Sequence, residues 1–109
     1  MVWQKSIKMV KDVYKNTGDF PNSEMYGLTS QIRRAAISVP SNIAEVSGRS
    51  EKEFAHFLNI AKGSAFELET QFIISKELDF IYKDDFENIN ACIVEIQKMI
   101  TGLQNKLNS

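Results

Sequence analysis

A chain of 109 residues and 12.4 kDa with 43% apolar and 25% charged residues has the composition of one ordinary globular domain and excludes a second. Its single cysteine, Cys92, excludes an internal disulfide framework or a CxxC zinc site, and no run approaches the ~20 apolar residues that span a bilayer. The net charge of −1 argues against a surface that is basic throughout, but the halves differ: residues 1–50 hold 7 Lys or Arg against 4 Asp or Glu, and residues 51–109 hold 6 against 10.

Met1 to Lys15 carries a lysine every three or four residues instead of an uninterrupted apolar core, so the expected location is cytoplasmic. Trp3, Ile7, Val10 and Tyr14 recur at steps of four, three and four, which predicts a first helix over 3–17 with these side chains on its buried side. Lys8, Lys11 and Lys15, with Lys5 at the margin, then form a basic strip on the opposite side. Gly18-Asp19 supplies a stop, Phe20-Pro21 forces an extended step, and Ser23 is positioned to cap a second helix over 23–47. Its apolar line is Leu28, Ile32, Ala35, Val39, Ile43 and Val46. Pro40 lies inside that line; because the periodicity keeps its phase on both sides, a kinked continuation is favoured over a break in which Ser41 caps a fresh helix.

Ser50-Glu51-Lys52-Glu53 is a capping-box pattern that opens a third helix over 51–78. Its buried line is Phe54, Phe57, Leu58, Ala61, Ala65, Leu68, Phe72 and Ser75, and the small residues Ala61, Gly63, Ser64 and Ala65 allow a neighbour to come close. Asp79 to Lys83 reads as a turn, with Asp84 capping a fourth helix over 84–107. There Phe86, Ile89, Ile93, Ile96, Ile100, Leu103 and Leu107 keep a heptad alternation, the strongest single pattern in the chain. With no strand alternation and only short loops, the predicted fold is all-α: an antiparallel up-down-up-down four-helix bundle forming one domain over 1–109.

Projection of the second helix at 100° per residue puts Gln31, Arg34, Ser38, Asn42, Glu45 and Arg49 in one polar stripe beside its apolar line. Such a row suits an inter-helix or inter-subunit seam with Glu45 and Arg49 paired at i,i+4, direct contact with a phosphate backbone or partner chain, or plain solvation. Lys5, Lys8, Lys11 and Lys15 are the candidate phosphate contacts, a pattern that solubility alone also produces. Glu53 and His56 have the ExxH spacing of di-iron bundles, but the chain holds one His, so a second ExxH cannot exist within one subunit. No nucleophile elbow or glycine-rich phosphate loop occurs, Cys92 reads as a small hydrophobe, and nothing asks for a cofactor or metal. Phe66, Ile73, Ile37 and Val94 fall outside the main stripes and read either as an interface or as the edges of a broad core.

The run Phe20-Pro21, Tyr26-Gly27-Leu28-Thr29-Ser30-Gln31-Ile32-Arg33-Arg34-Ala35-Ala36, Ser38-Val39-Pro40-Ser41-Asn42-Ile43-Ala44-Glu45 and Gly48-Arg49-Ser50 closely resembles the bacterial intervening-sequence proteins, encoded in insertions within large-subunit ribosomal RNA genes. Glu53-Phe54, Phe57-Leu58, Ile60-Ala61, Gly63-Ser64 and Glu67-Leu68-Glu69-Thr70-Gln71 extend the resemblance over nearly the whole chain. One departure is Val46, where the family pattern usually has Gly. The resemblance implies a four-helix bundle assembling as a ring-like homopentamer, with the second helix continuing through Pro40. The chain is also similar to the accessory variability determinant proteins of diversity-generating retroelements, pentameric bundles that bind a reverse transcriptase and nucleic acid. Together these readings lead to the expectation of a non-enzymatic homo-oligomeric scaffold or adaptor for RNA, DNA or a nucleic-acid enzyme; the alternative is a protein-binding module without nucleic-acid affinity.

Overall fold

The computed structural model describes residues 1–46 and 48–107, and among them there are four α-helices and no strand. They are α1 (Val2–Thr17), α2 (Leu28–Ala44), α3 (Glu51–Glu77) and α4 (Lys83–Leu107), with a single 3-10 turn at Asn22–Glu24. Each helix packs against its neighbours in sequence and α1 packs against α4, which closes a four-sided bundle 43 × 24 × 19 Å in extent. Polar ties between α3 and α4 fix their opposite directions: Gln104 donates to Asn59 Oδ1 at 2.8 Å, while Gln97 donates to Glu69 Oε1 at 3.1 Å. The core is the aliphatic ladder of α4, Ile89, Ile93, Ile96 and Ile100, against Leu58, Leu68 and Phe72 of α3, Ile32 and Val39 of α2, and Met9 and Val13 of α1. No helix among the described residues is long and apolar enough to cross a membrane.

Two helix boundaries follow their sequence signals closely. At the start of α3 the Ser50 hydroxyl accepts the Glu53 N–H at 3.3 Å and donates to Glu53 Oε1 at 3.0 Å, which satisfies an otherwise orphan amide. In α2 the helix runs unbroken through the buried Pro40, so the break at Ser41 is excluded.

Other boundaries differ. Ser23 caps nothing: the chain leaves Pro21 in the short 3-10 turn, Gly27 takes φ −118° and ψ −112°, and α2 begins only at Leu28, whose N–H reaches Glu24 Oε1 at 3.4 Å. The expected end of that helix at Ser47 lies outside the described residues, as do Asn108 and Ser109 at the end of the domain; the helix itself closes at Ala44. Asp84 sits inside the first turn of α4, which starts at Lys83. Between α3 and α4, Asp79 adopts φ 61°, Phe80 N–H returns to Ser75 O at 2.9 Å and Asp79 N–H to Lys76 O at 3.0 Å, a Schellman closure with Asp in the place glycine usually takes. Phe80 then meets Phe20 in a tilted ring contact, centroids 5.7 Å apart, and so joins the α1–α2 connection to the α3–α4 turn.

The largest correction concerns α1. Its buried side is Val2, Ser6, Met9, Val13 and Thr17, not Trp3, Ile7 and Tyr14. The hydroxyls make the difference: Ser6 donates to Trp3 O at 2.7 Å and Thr17 to Val13 O at 2.8 Å, so each enters the interior with its polar atom already satisfied.

Candidate interaction faces

The polar stripe of α2 divides into three parts. In its middle, Ser38 and Ser64 of α3 share a hydrogen bond of 2.7 Å, and Asn42 Nδ2 donates to Ser38 O at 2.8 Å and to Ser38 Oγ at 3.0 Å. Both Ser38 and Asn42 are half-buried. They form a seam between two helices of one chain, and Ser64, a small residue, is what lets α2 approach closely enough to make it.

At the C-terminal end, Arg49 gathers two carboxylates across the α2–α3 junction. Its Nη2 lies 2.8 Å from Glu45 Oε2, its Nη1 3.2 Å from Glu53 Oε2, and Nε donates to Glu45 O at 3.2 Å, with the guanidinium 5.3 Å from the centroid of the Phe57 ring. Hydrogen bonds donated to Glu53 and Glu45 raise the Arg49 pKa, and the Ser50 hydroxyl followed by Arg49 lowers that of Glu53. The group is a clamp that holds the junction; Glu53 is thereby engaged, while His56 turns its ring edge to Phe57 at 5.3 Å. No group of three or more His, Cys, Asp or Glu suited to a metal occurs among the described residues.

Gln31 and Arg34, at the N-terminal end, are exposed, and their side chains make no hydrogen bond or ion pair among the described residues. The lysine strip divides as well. Lys5 is half-buried and paired with Glu95 of α4 at 2.8 Å, a hydrogen bond that raises its pKa, whereas Lys8, Lys11 and Lys15 stand exposed.

Beside Lys11 lies the surface that periodicity assigned to the interior. Trp3, Ile7 and Tyr14 of α1 and Ile37 of α2 keep 40–44% of their area exposed, and Tyr26 keeps 97%. They frame two shallow grooves that meet at Ile37, one floored by Val10 and Pro40, the other flanked by Tyr26, Arg33 and Arg34. Arg33 is fixed there, 4.6 Å from the Tyr14 ring centroid, with its Nε donating to Thr17 Oγ1 at 3.0 Å. The residues lining the two grooves carry three cations, Lys11, Arg33 and Arg34, and no carboxylate. The surface is thus apolar and aromatic with a basic rim. Of these residues sequence reasoning offered Ile37, Lys11 and Arg34 for contacts and placed Trp3, Ile7, Val10 and Tyr14 on the buried side; the missed signal was the second apolar line of α1, Val2, Met9 and Val13, which competes with the aromatic one.

A model of the family described as 23S rRNA-intervening sequence protein matches residues 1–102. The crystal structure of a protein of unknown function from the S23 ribosomal protein family of Bacteroides thetaiotaomicron, at 1.70 Å resolution, is similar with a TM-score of 0.86 and 26% identity, covering 95% of this chain and 98% of that one. No curated protein matches the chain.

Proposed function

The chain belongs to the 23S rRNA-intervening sequence protein family, and from that premise we propose that it is a non-enzymatic cytoplasmic scaffold that assembles with its own copies into a homopentameric ring and serves as an adaptor for RNA, DNA or a nucleic-acid enzyme. The observation that carries this reading is the α1–α2 surface, where four large side chains stand two-fifths exposed in one continuous patch with a basic rim. A soluble monomer rarely leaves such a patch uncovered, and further copies of the same chain are its commonest cover. The pentamer is what the family resemblance implies. A cytoplasmic location accords with the free, half-buried thiol of Cys92.

Light scattering on the purified protein, with and without a short structured RNA at low and moderate salt, tests the reading. A mass near five times 12.4 kDa that rises with RNA and loses the rise as salt increases supports it; a monomer refutes the scaffold, and an assembly indifferent to RNA refutes the adaptor role for RNA. The second reading, a protein-binding module without nucleic-acid affinity, is favoured by the engagement of Ser38, Asn42, Glu45 and Arg49 within the chain, which leaves Gln31 and Arg34 as the open part of the stripe. Arg34→Ala separates the two: loss of assembly with no change in any RNA affinity supports the module, and an intact assembly counts against it.

A further inference from the structure

A ring needs two different surfaces on each copy, one offered to each neighbour, and the α1–α2 face supplies one of them. On α3, Phe66, Thr70, Ile73 and Glu77 follow one another at steps of four, three and four on the side away from the core, with Ile60, Glu67 and Ile74 in the adjoining row. All are exposed, Phe66 by 48% and Ile73 by 44%. The charges of the strip from Phe66 to Glu77 are the carboxylates of Glu67 and Glu77, since the neighbouring Lys76 turns toward α4, its Nζ 5.0 Å from the Phe86 ring centroid. Gly63, at the start of the strip, has open space where a side chain would stand, so a neighbouring backbone can approach there. The chain therefore carries an apolar strip with acidic edges on α3 and an apolar aromatic face with basic edges on α1–α2.

We infer that the α1–α2 face of one copy seats on the α3 strip of the next, with Trp3, Ile7 and Ile37 against Phe66 and Ile73, and Lys11, Arg33 and Arg34 toward Glu67 and Glu77. This rests on the self-assembly proposed above and specifies its contacts. The pairing is head-to-tail because the two faces are different surfaces of one chain, so it propagates instead of ending at a dimer, and it gives a ring where the rotation between copies closes. The charge complement suppresses the like-faced alternative, which would oppose three cations to three cations.

The experiment is subunit complementation. Ile7→Glu disables the α1–α2 face and Phe66→Glu the α3 strip, both at positions outside the buried core and 40% and 48% exposed; Ile37→Asp and Ile73→Asp are the reserve pair, and helical circular dichroism confirms folding. Light scattering at one fixed protein concentration is expected to give an assembled wild type, a 12.4 kDa monomer for each single variant, and a species of twice that mass when the two variants are mixed, because one intact contact remains between them. The lone tryptophan, Trp3, reports the same event, its emission moving to shorter wavelength in the mixture. An assembled wild type whose size survives either variant overturns the pairing and leaves self-assembly standing. A stable dimer of Phe66→Glu alone overturns it in favour of like-faced contact through α1–α2. A monomeric wild type overturns both, and a shift of its Trp3 emission on adding an oligonucleotide would assign that face to nucleic acid.

Discussion

Removing the hydroxyls of Ser38 and Ser64, singly and together, should reveal a coupling of about 1 kcal/mol between α2 and α3. The O···O distance of 2.7 Å is that of a well-made hydroxyl pair. Ser38→Ala breaks this bond and also removes the oxygen that Asn42 reaches at 3.0 Å, while alanine returns about 0.5 kcal/mol of helix propensity. The single substitution is therefore expected to cost only about 0.5–1 kcal/mol net. With alanine already at position 64 the Ser38–Ser64 bond is gone, so the second substitution loses only the Asn42 contact. The propensity gain is the same in both legs of the cycle and cancels, leaving the bond itself. Urea unfolding followed by helical circular dichroism, with all four proteins at one concentration because assembly contributes to apparent stability, measures it. Additivity to within about 0.3 kcal/mol would refute the seam and return Ser38 and Asn42 to the set of residues available for a ligand.

Asp79→Gly relieves a left-handed residue in the α3–α4 turn and should raise stability by about 0.5–1 kcal/mol after the extra freedom of the unfolded glycine is counted, a gain of several degrees in thermal midpoint; Asp79→Val should lower it. The folded Glu53 carboxyl holds its proton less tightly than the unfolded one, so its stabilising contribution is complete above about pH 4.5 and fades as pH falls through the lowered folded value. Acid titrations should therefore show the advantage of wild type over Glu53→Gln at neutral pH vanishing in that window, and a pH-independent difference would contradict the clamp. Burial, ahead of the neighbouring charges, pushes the Cys92 thiol up, so iodoacetamide at neutral pH should modify the folded protein on the order of tenfold more slowly than the urea-unfolded chain.

The four helices were legible because the patterns that announce them are redundant: the heptads of α4, the capping box at Ser50 and the phase kept across Pro40 each act within a few residues. The orientation of α1 was not. Its sequence holds two apolar lines one residue apart, and the aromatic one outranks Val2, Met9 and Val13 in size. The choice between them turns on Ser6 and Thr17, which count as polar in any periodicity yet bury their hydroxyls on carbonyls of their own helix. The start of α2 was misplaced for a related reason, since Ser23 is a good cap in isolation but Gly27 interrupts the helix four residues later. Of the projected polar stripe, Gln31, Arg34, Ser38 and Asn42 lie on α2, while Glu45 and Arg49 fall beyond its end at Ala44. Projection of one helix gives directions without showing what stands opposite, and it is Ser64 on α3 and Glu53 beyond the junction that divide the stripe into seam, clamp and open end.

Three of the four helix contacts, α1 with α2, α2 with α3 and α3 with α4, join neighbours along the chain. Each closes a short connection at little entropic cost, which places the bundle among topologies that fold in microseconds to milliseconds. The fourth, between α1 and α4 and tied by Lys5 to Glu95, waits for both ends of the chain. During synthesis α1, α2 and α3 are therefore free to pack as they emerge, while the sides of α1 and α3 that will meet the isoleucine ladder of α4 remain uncovered until the last helix leaves the ribosome. A chain cut short before Lys83 would carry that open trough permanently, and aggregation is its expected fate.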